Sequence, residues 1–166
     1  MTIKKILVLH TGGTISMHED QDGDVETGLD NPLIDVKMAL PNVDLTVESI
    51  FNLPSEHIGP EHMLQLQRRI LTAGNAFDGV VITHGTDTLE ETSFFLDSTL
   101  SVDFPIVMTG AMRSSNELGS DGLYNYHSAL RVAANEASRN RGVLVVMNDE
   151  IHAARFVTKT HTTNVA

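Results

Sequence analysis

Four short polar clusters in this 166-residue sequence each follow an apolar run. Thr11-Gly12-Gly13-Thr14 follows Ile6-Leu7-Val8-Leu9, and Ser55-Glu56 follows residues 45–53. Thr86-Asp87-Thr88 comes shortly after Val80-Val81-Ile82-Thr83, and Gly110-Ala111-Met112-Arg113 after Ile106-Val107-Met108-Thr109. Hydroxyls dominate these clusters, and a threonine hydroxyl becomes a nucleophile once a base takes its proton. The base nearest in sequence is Asp87. Lys159, between Thr158 and Thr160, is a second group that could join it. A lysine beside a carboxylate is ordinarily a plain ion pair, and it relays protons only when partly desolvated. The glycine pair permits a tight turn and close backbone approach to a ligand, though a simple strand-to-loop turn explains it too. Ser55 and Glu56 could bind a polar ligand or merely turn the chain. Thr88 with Glu91 spells a capping box, so Asp87 and Thr88 also fit a plain helix start.

The elements that would position these groups follow from periodicity. Residues 4–11 read as a first strand, buried on both faces. Residues 18–30 carry Glu19, Asp20, Asp22, Asp24 and Glu26 with no apolar period, which describes a mobile loop, either simply solvated or acting as a lid. A short helix is expected over 31–40 and a second strand over 45–53. The helix over 61–73 would turn Met63, Leu66 and Ile70 inward, with Leu64 and Leu71 beside them. A helix over 89–100 would bury Leu89, Leu96 and Leu100 and set Phe94 or Phe95 against the sheet. A strand at 105–109, a polar loop at 114–122, a helix at 123–138 and a strand at 142–147 come next, with a short extra strand over 150–157. In the helix over 123–138, Leu123, Tyr126, Leu130, Ala133 and Ala137 are in phase. Strands alternating with helices give an α/β class, a mainly parallel open sheet with helices on both faces, as one domain over 1–166. The carboxyl ends of parallel strands share one edge, so the polar clusters should converge there.

Composition excludes several functions. The formal net charge of −11 repels phosphate backbones and anionic lipid heads, so neither nucleic acid nor a membrane is an expected partner. With no cysteine there is no disulfide, thiol nucleophile or thiolate metal site. The opening Met1-Thr2-Ile3-Lys4-Lys5 and its apolar continuation are too short for a signal peptide. The eight histidines form no His-x-x-x-His pair, and no metal is expected. His84 reads as a structural hydrogen-bonding group. The sequence lacks both G-x-G-x-x-G and a Gly-Lys-Ser/Thr loop, which argues against a nucleotide-binding module, and it lacks the Gly-x-Ser-x-Gly elbow of serine hydrolases.

Two segments carry a family resemblance. Thr11-Gly12-Gly13-Thr14-Ile15 and His84-Gly85-Thr86-Asp87-Thr88-Leu89-Glu90-Glu91-Thr92 resemble the two signature motifs of the bacterial-type L-asparaginase family. Gly110-Ala111-Met112-Arg113 and the Lys159 neighbourhood match in the same order, so the resemblance covers nearly the whole chain as an amino-terminal domain. It implies a Rossmann-like or flavodoxin-like fold and hydrolysis of the L-asparagine side-chain amide to L-aspartate and ammonia, without a cofactor. Thr14 is the implied nucleophile, forming an acyl-enzyme. Thr86, Asp87 and Lys159 form a second group that polarises the nucleophile or the attacking water. Backbone N–H groups near Gly13 and Thr86 would hold the oxyanion. Ser55, Glu56 and Asp87 would bind the α-carboxylate and α-amine, and the Ala111 carbonyl would accept from the leaving amide. A cytoplasmic homo-oligomer, dimer or tetramer, is expected.

The sequence departs from that family in two ways. The family lid often supplies a tyrosine, whereas the only tyrosines here are Tyr124 and Tyr126, inside an expected helix. Family members also carry a smaller carboxyl-terminal domain, and a neighbouring subunit completes the site. The chain reads as an amino-terminal domain without that partner domain, and weak or absent activity is expected of it alone. A catalytically silent amino-acid-binding domain, an amidase or glutaminase of related specificity, and an amidase resembling the archaeal tRNA-dependent amidotransferase subunit remain alternatives.

Overall fold

The computed structural model describes residues 2–19, 25–27, 33 and 40–162. Its centre is a six-stranded sheet. The strands are β1 (Lys4–His10), β4 (Val43–Ser49), β5 (Gly79–Thr83), β6 (Ile106–Thr109), β7 (Val143–Met147) and β8 (Glu150–Ala153), in the spatial order β4-β1-β5-β6-β7-β8. All neighbours run parallel except β7 and β8, which are antiparallel. Three helices complete the fold: α1 (Pro60–Ala73), α2 (Leu89–Thr99) and α3 (Gly122–Ala133). The chain moves outward from β1 to β4 and then returns to the other side of β1 to lay down β5. This reversal makes the β1/β5 boundary a switch point, where open α/β sheets leave a crevice beyond the strands' carboxyl ends.

The interior strands are buried on both faces, as their unbroken apolar runs require. Leu7, Leu9, Val80 and Ile82 face a cluster with Leu66 and Ile70 of α1 and Leu89 and Leu96 of α2. Ile6, Val8 and Val81 face the opposite cluster with Tyr126, Ala129 and Leu130 of α3. Helices therefore cover both faces, as expected. Each fully buried Leu or Ile contributes about 1.5–3 kcal/mol from burial.

Several boundaries and faces differ from the periodicity. Leu64 and Leu71 are exposed, because α1 has only a narrow face on the sheet. On α2 it is Phe95 that packs on the core, while Phe94 faces water. The helix expected over 123–138 stops at Ala133, since the Asn135 side chain accepts from Ala137 N and opens a separate turn at Glu136–Ser138. Ala137 is accordingly exposed, and Leu123, in the first turn of α3, is exposed as well. Within the acidic loop, β2 (Met17–Glu19) pairs antiparallel with β3 (Val25–Thr27), where periodicity gives no regular pairing. The rest of that loop lies outside the described residues, as does the expected short helix over 31–40 apart from Leu33 and Leu40. Both of these pack in the α3-side cluster. Among the described residues, no helix is long and apolar enough to cross a membrane.

Candidate active site

The parallel strands end level with one another. His10 pairs with Ser49 on one side and Thr83 on the other, and Thr83 pairs with Thr109. The loops leaving these strands therefore start from one line across the sheet. Thr11 is fastened there by two bonds to the Thr83 carbonyl, from its N at 3.1 Å and its Oγ1 at 2.8 Å. Leu53 N donates to Thr11 O at 2.9 Å, which draws the segment after β4 to the same place.

Three loops then touch backbone to backbone, and only glycine allows it. Gly12 and Gly13 have φ of 104° and 81°, where side chains are strained. A Cβ on Gly12 would stand 2.5 Å from both N and O of Leu53, and one on Gly13 would overlap the Gly85 backbone. A Cβ on Gly85 would lie 2.5 Å from Ser55 Cβ and 2.7 Å from its Oγ. The contact between Gly13 and Gly85 holds the Cα atoms of Thr14 and Thr86 within about 11 Å of each other, given the fixed spacing of consecutive Cα atoms. Thr14 opens a short turn, Thr14–Ser16, and is half-buried. Thr86 is only 9% exposed.

Lys159 arrives from the far end of the chain. Its Nζ donates to Thr86 Oγ1 at 2.9 Å and to Asp87 Oδ1 at 2.5 Å. The lysine side chain is 21% exposed and the Asp87 side chain 61%, so the amine is partly desolvated while the carboxylate opens to solvent. Asp87 N donates to Ser55 Oγ at 3.2 Å. The expected capping box does not form. Thr88 makes no side-chain cap bond; its Oγ1 donates to the Ser55 carbonyl at 2.7 Å, tying two of the site's loops together. Ser55 is buried, and Glu56 is exposed beside it on the turn Ser55–His57.

Ala111 is fully buried behind this line. Its turn is held by two residues that periodicity did not single out. The Asp121 carboxylate accepts from Met112 N and Arg113 N, each at 3.0 Å. The Asn125 amide donates at 3.0 Å to Gly110 O and to Asp121, and its Oδ1 accepts from Asn148 N at 3.2 Å. An aspartate directly before a helix was the available signal, and its ordinary meaning, a cap for that helix, pointed elsewhere.

Two histidines brace the site as neutral rings. His84 donates from Nδ1 to the Gly85 carbonyl at 2.7 Å, and Thr92 Oγ1 lies 2.9 Å from Nε2. A carbonyl only accepts, so the proton sits on Nδ1 and Thr92 donates to Nε2. Burial pushes the His84 pKa down to about 4, against the opposing pull of the Gly85 carbonyl. His10 Nδ1 bonds Thr83 Oγ1 at 2.7 Å, and burial lowers its pKa to about 4 as well. His84 is thus the structural group its position suggested. Among the described residues, no three His, Asp or Glu side chains gather as metal ligands would. A cleft of about 740 Å³ runs from Lys159 past Asn125, Met147 and Tyr124.

Comparison with known proteins gives one consistent result. The family model described as asparaginase, N-terminal, matches residues 5–166. L-asparaginase 2 of Escherichia coli is 42% identical over 100% of this chain and 49% of its own length. The glutaminase-asparaginase of Pseudomonas fluorescens is 37% identical over 95% of this chain and 46% of its own. The crystal structure of a probable cytoplasmic L-asparaginase from Campylobacter jejuni superposes with a TM-score of 0.84 at 40% identity, covering 98% of this chain and 50% of that one. The chain thus spans about half the length of the relatives it matches.

Proposed function

Since this chain belongs to the asparaginase family, matched over residues 5–166 by its amino-terminal domain, we propose that it hydrolyses the side-chain amide of L-asparagine to L-aspartate and ammonia. Thr14 is the nucleophile of this reading. Its oxygen bonds to the amide carbon, ammonia leaves, and water then cleaves the resulting ester, returning the hydroxyl and releasing aspartate. Main-chain N–H groups near Gly13 and Thr86 receive the developing oxyanion, each donor worth roughly 3–4 kcal/mol to the transition state. Thr86, Lys159 and Asp87 form a hydrogen-bonded relay that polarises the nucleophile or the water. Ser55, Glu56 and Asp87 take the α-carboxylate and α-amine, and the Ala111 carbonyl accepts from the leaving amide nitrogen.

The observation that carries this reading is the pair of hydrogen bonds from Lys159 Nζ to Thr86 and Asp87, more than 70 residues away. A surface ion pair would need only the carboxylate. Here the same amine also engages a nearly buried hydroxyl, on a loop whose glycine touches the turn that presents Thr14. Ammonia release from L-asparagine tests it, with L-glutamine in parallel because a relative 37% identical is named a glutaminase-asparaginase. Weak turnover by residues 1–166 that disappears in Thr14→Ala and Thr86→Ala is the expected result. Binding of L-aspartate with no ammonia release would favour a silent amino-acid-binding domain instead.

A further inference from the structure

Lys159 lies in a stretch without helix or strand, just past the turn Ala154–Phe156. Its ammonium must nonetheless be held on two specific oxygens. Lysine has four rotatable bonds, so an unanchored main chain would leave the amine many alternatives. Among the described residues, one hydrogen bond fixes the main chain of residues 157–161: Lys159 N donates to Glu90 Oε2 at 2.6 Å. The length is short for an N–H donor and the acceptor is a carboxylate, both marks of a strong bond. Glu90 is the second residue of α2, where the positive end of the helix favours its charge. Thr86 and Asp87 immediately precede the same helix. One rigid helix start therefore grips Lys159 twice, by its main-chain N and by its Nζ.

We infer that Glu90 is a positioning residue, whose carboxylate anchors the Lys159 main chain so that the ammonium reaches Thr86 and Asp87. The effect on catalysis rests on the reaction proposed above; the placement of Lys159 does not. Val157 and Thr158 line a small hollow with Glu90 and Leu89, so the segment is seated there but not bonded by them.

Glu90→Gln keeps an acceptor oxygen without the charge, and Glu90→Leu removes the acceptor. With L-asparagine, kcat is expected to fall about tenfold in the first, as a charge-assisted bond becomes a neutral one. In the second it should fall about 100-fold, the usual penalty for a group displaced by about 1 Å. KM should stay within about twofold, because Glu90 is not among the substrate contacts. A Glu90→Leu enzyme with unchanged kcat, or with altered KM alone, overturns the inference. ¹⁵N-lysine labelling gives a readout independent of turnover, since the sequence has only four lysines. The Lys159 amide should move upfield and its slowly exchanging ammonium signal should vanish in Glu90→Leu, with Glu90→Gln intermediate and both variants still folded. If the parent turns over no asparagine, the proposed reaction fails. The lysine spectra still decide placement, and an unchanged ammonium signal in Glu90→Leu refutes it.

Discussion

Replacing Gly13 by alanine tests the contact on which the site is built. The residue sits at φ 81° and ψ −179°, a region essentially reserved for glycine, and a side chain there costs on the order of 1–3 kcal/mol. The added methyl would also overlap the backbone of Gly85, which cannot rotate away as a side-chain tip could. Forcing an extra carbon into packed backbone costs a further 1–3 kcal/mol or so. Together these give about 2–6 kcal/mol. For a domain of this size that is a melting-temperature loss of about 4–24 °C. Gly59→Ala is the matched control, because a Cβ there meets nothing within 4 Å. It should change stability by less than about 1 kcal/mol. Thermal unfolding followed by circular dichroism, with urea midpoints at constant m, measures both. A Gly13→Ala protein melting within 2 °C or so of the parent would refute the close approach of the two loops, and with it the juxtaposition of Thr14 and Thr86.

Lys159→Met keeps the stem and removes the ammonium from Thr86 and Asp87; turnover should fall by about 10²–10⁴, the usual contribution of a positioned proton-transfer group. Stability should move by less than about 1 kcal/mol, since Asp87 is 61% exposed, and a melting shift without a rate loss would contradict the relay. Asp121→Ala leaves Met112 N and Arg113 N without the carboxylate; a loss of about 2–3 kcal/mol in urea unfolding is expected, and no loss would contradict its role as anchor of the Ala111 turn. His10 and His84 both have pKa values lowered from 6.5 to about 4, so between those limits the folded protein binds fewer protons than the unfolded chain. Their contribution is complete above pH 6.5 and is lost as pH falls through 4, on the order of 3 kcal/mol for each ring. Urea midpoints across this range should fall more steeply in the parent than in His10→Asn, and equal slopes would contradict the burial argument.

Much of this was legible in the residues. The apolar runs at β1 and β5, each followed within two residues by glycine and then threonine, mark buried strands that end at a site. What periodicity cannot carry is separation along the chain. Nothing in the spacing of Lys159 tells that it meets Asp87; the residues offered it only as a group that could join that carboxylate, the family resemblance implied the pairing, and the geometry agrees with it. Local rules misled where a tertiary partner outcompeted the local one. Thr88 has the side chain and the Glu91 partner of a capping box, yet its hydroxyl reaches Ser55 across the site. Asp121 stands where a helix cap would, yet it holds the turn after β6. Ala137 fits a helical stripe, but Asn135 ends that helix early. Glu90 was invisible because a glutamate in a helix's first turn already has a sufficient local reason to be there.

The central claim is that the loops after β1, β4 and β5 surround one amino-acid ligand. A crystal structure of this protein soaked with L-aspartate measures it directly. The ligand's side-chain carboxylate should lie within hydrogen-bonding distance of the Thr14 and Thr86 hydroxyls, with its α-groups at Ser55, Glu56 and Asp87. Density for aspartate in the cleft beside Tyr124 and Met147, with the ledge between Gly13 and Gly85 empty, would contradict the account.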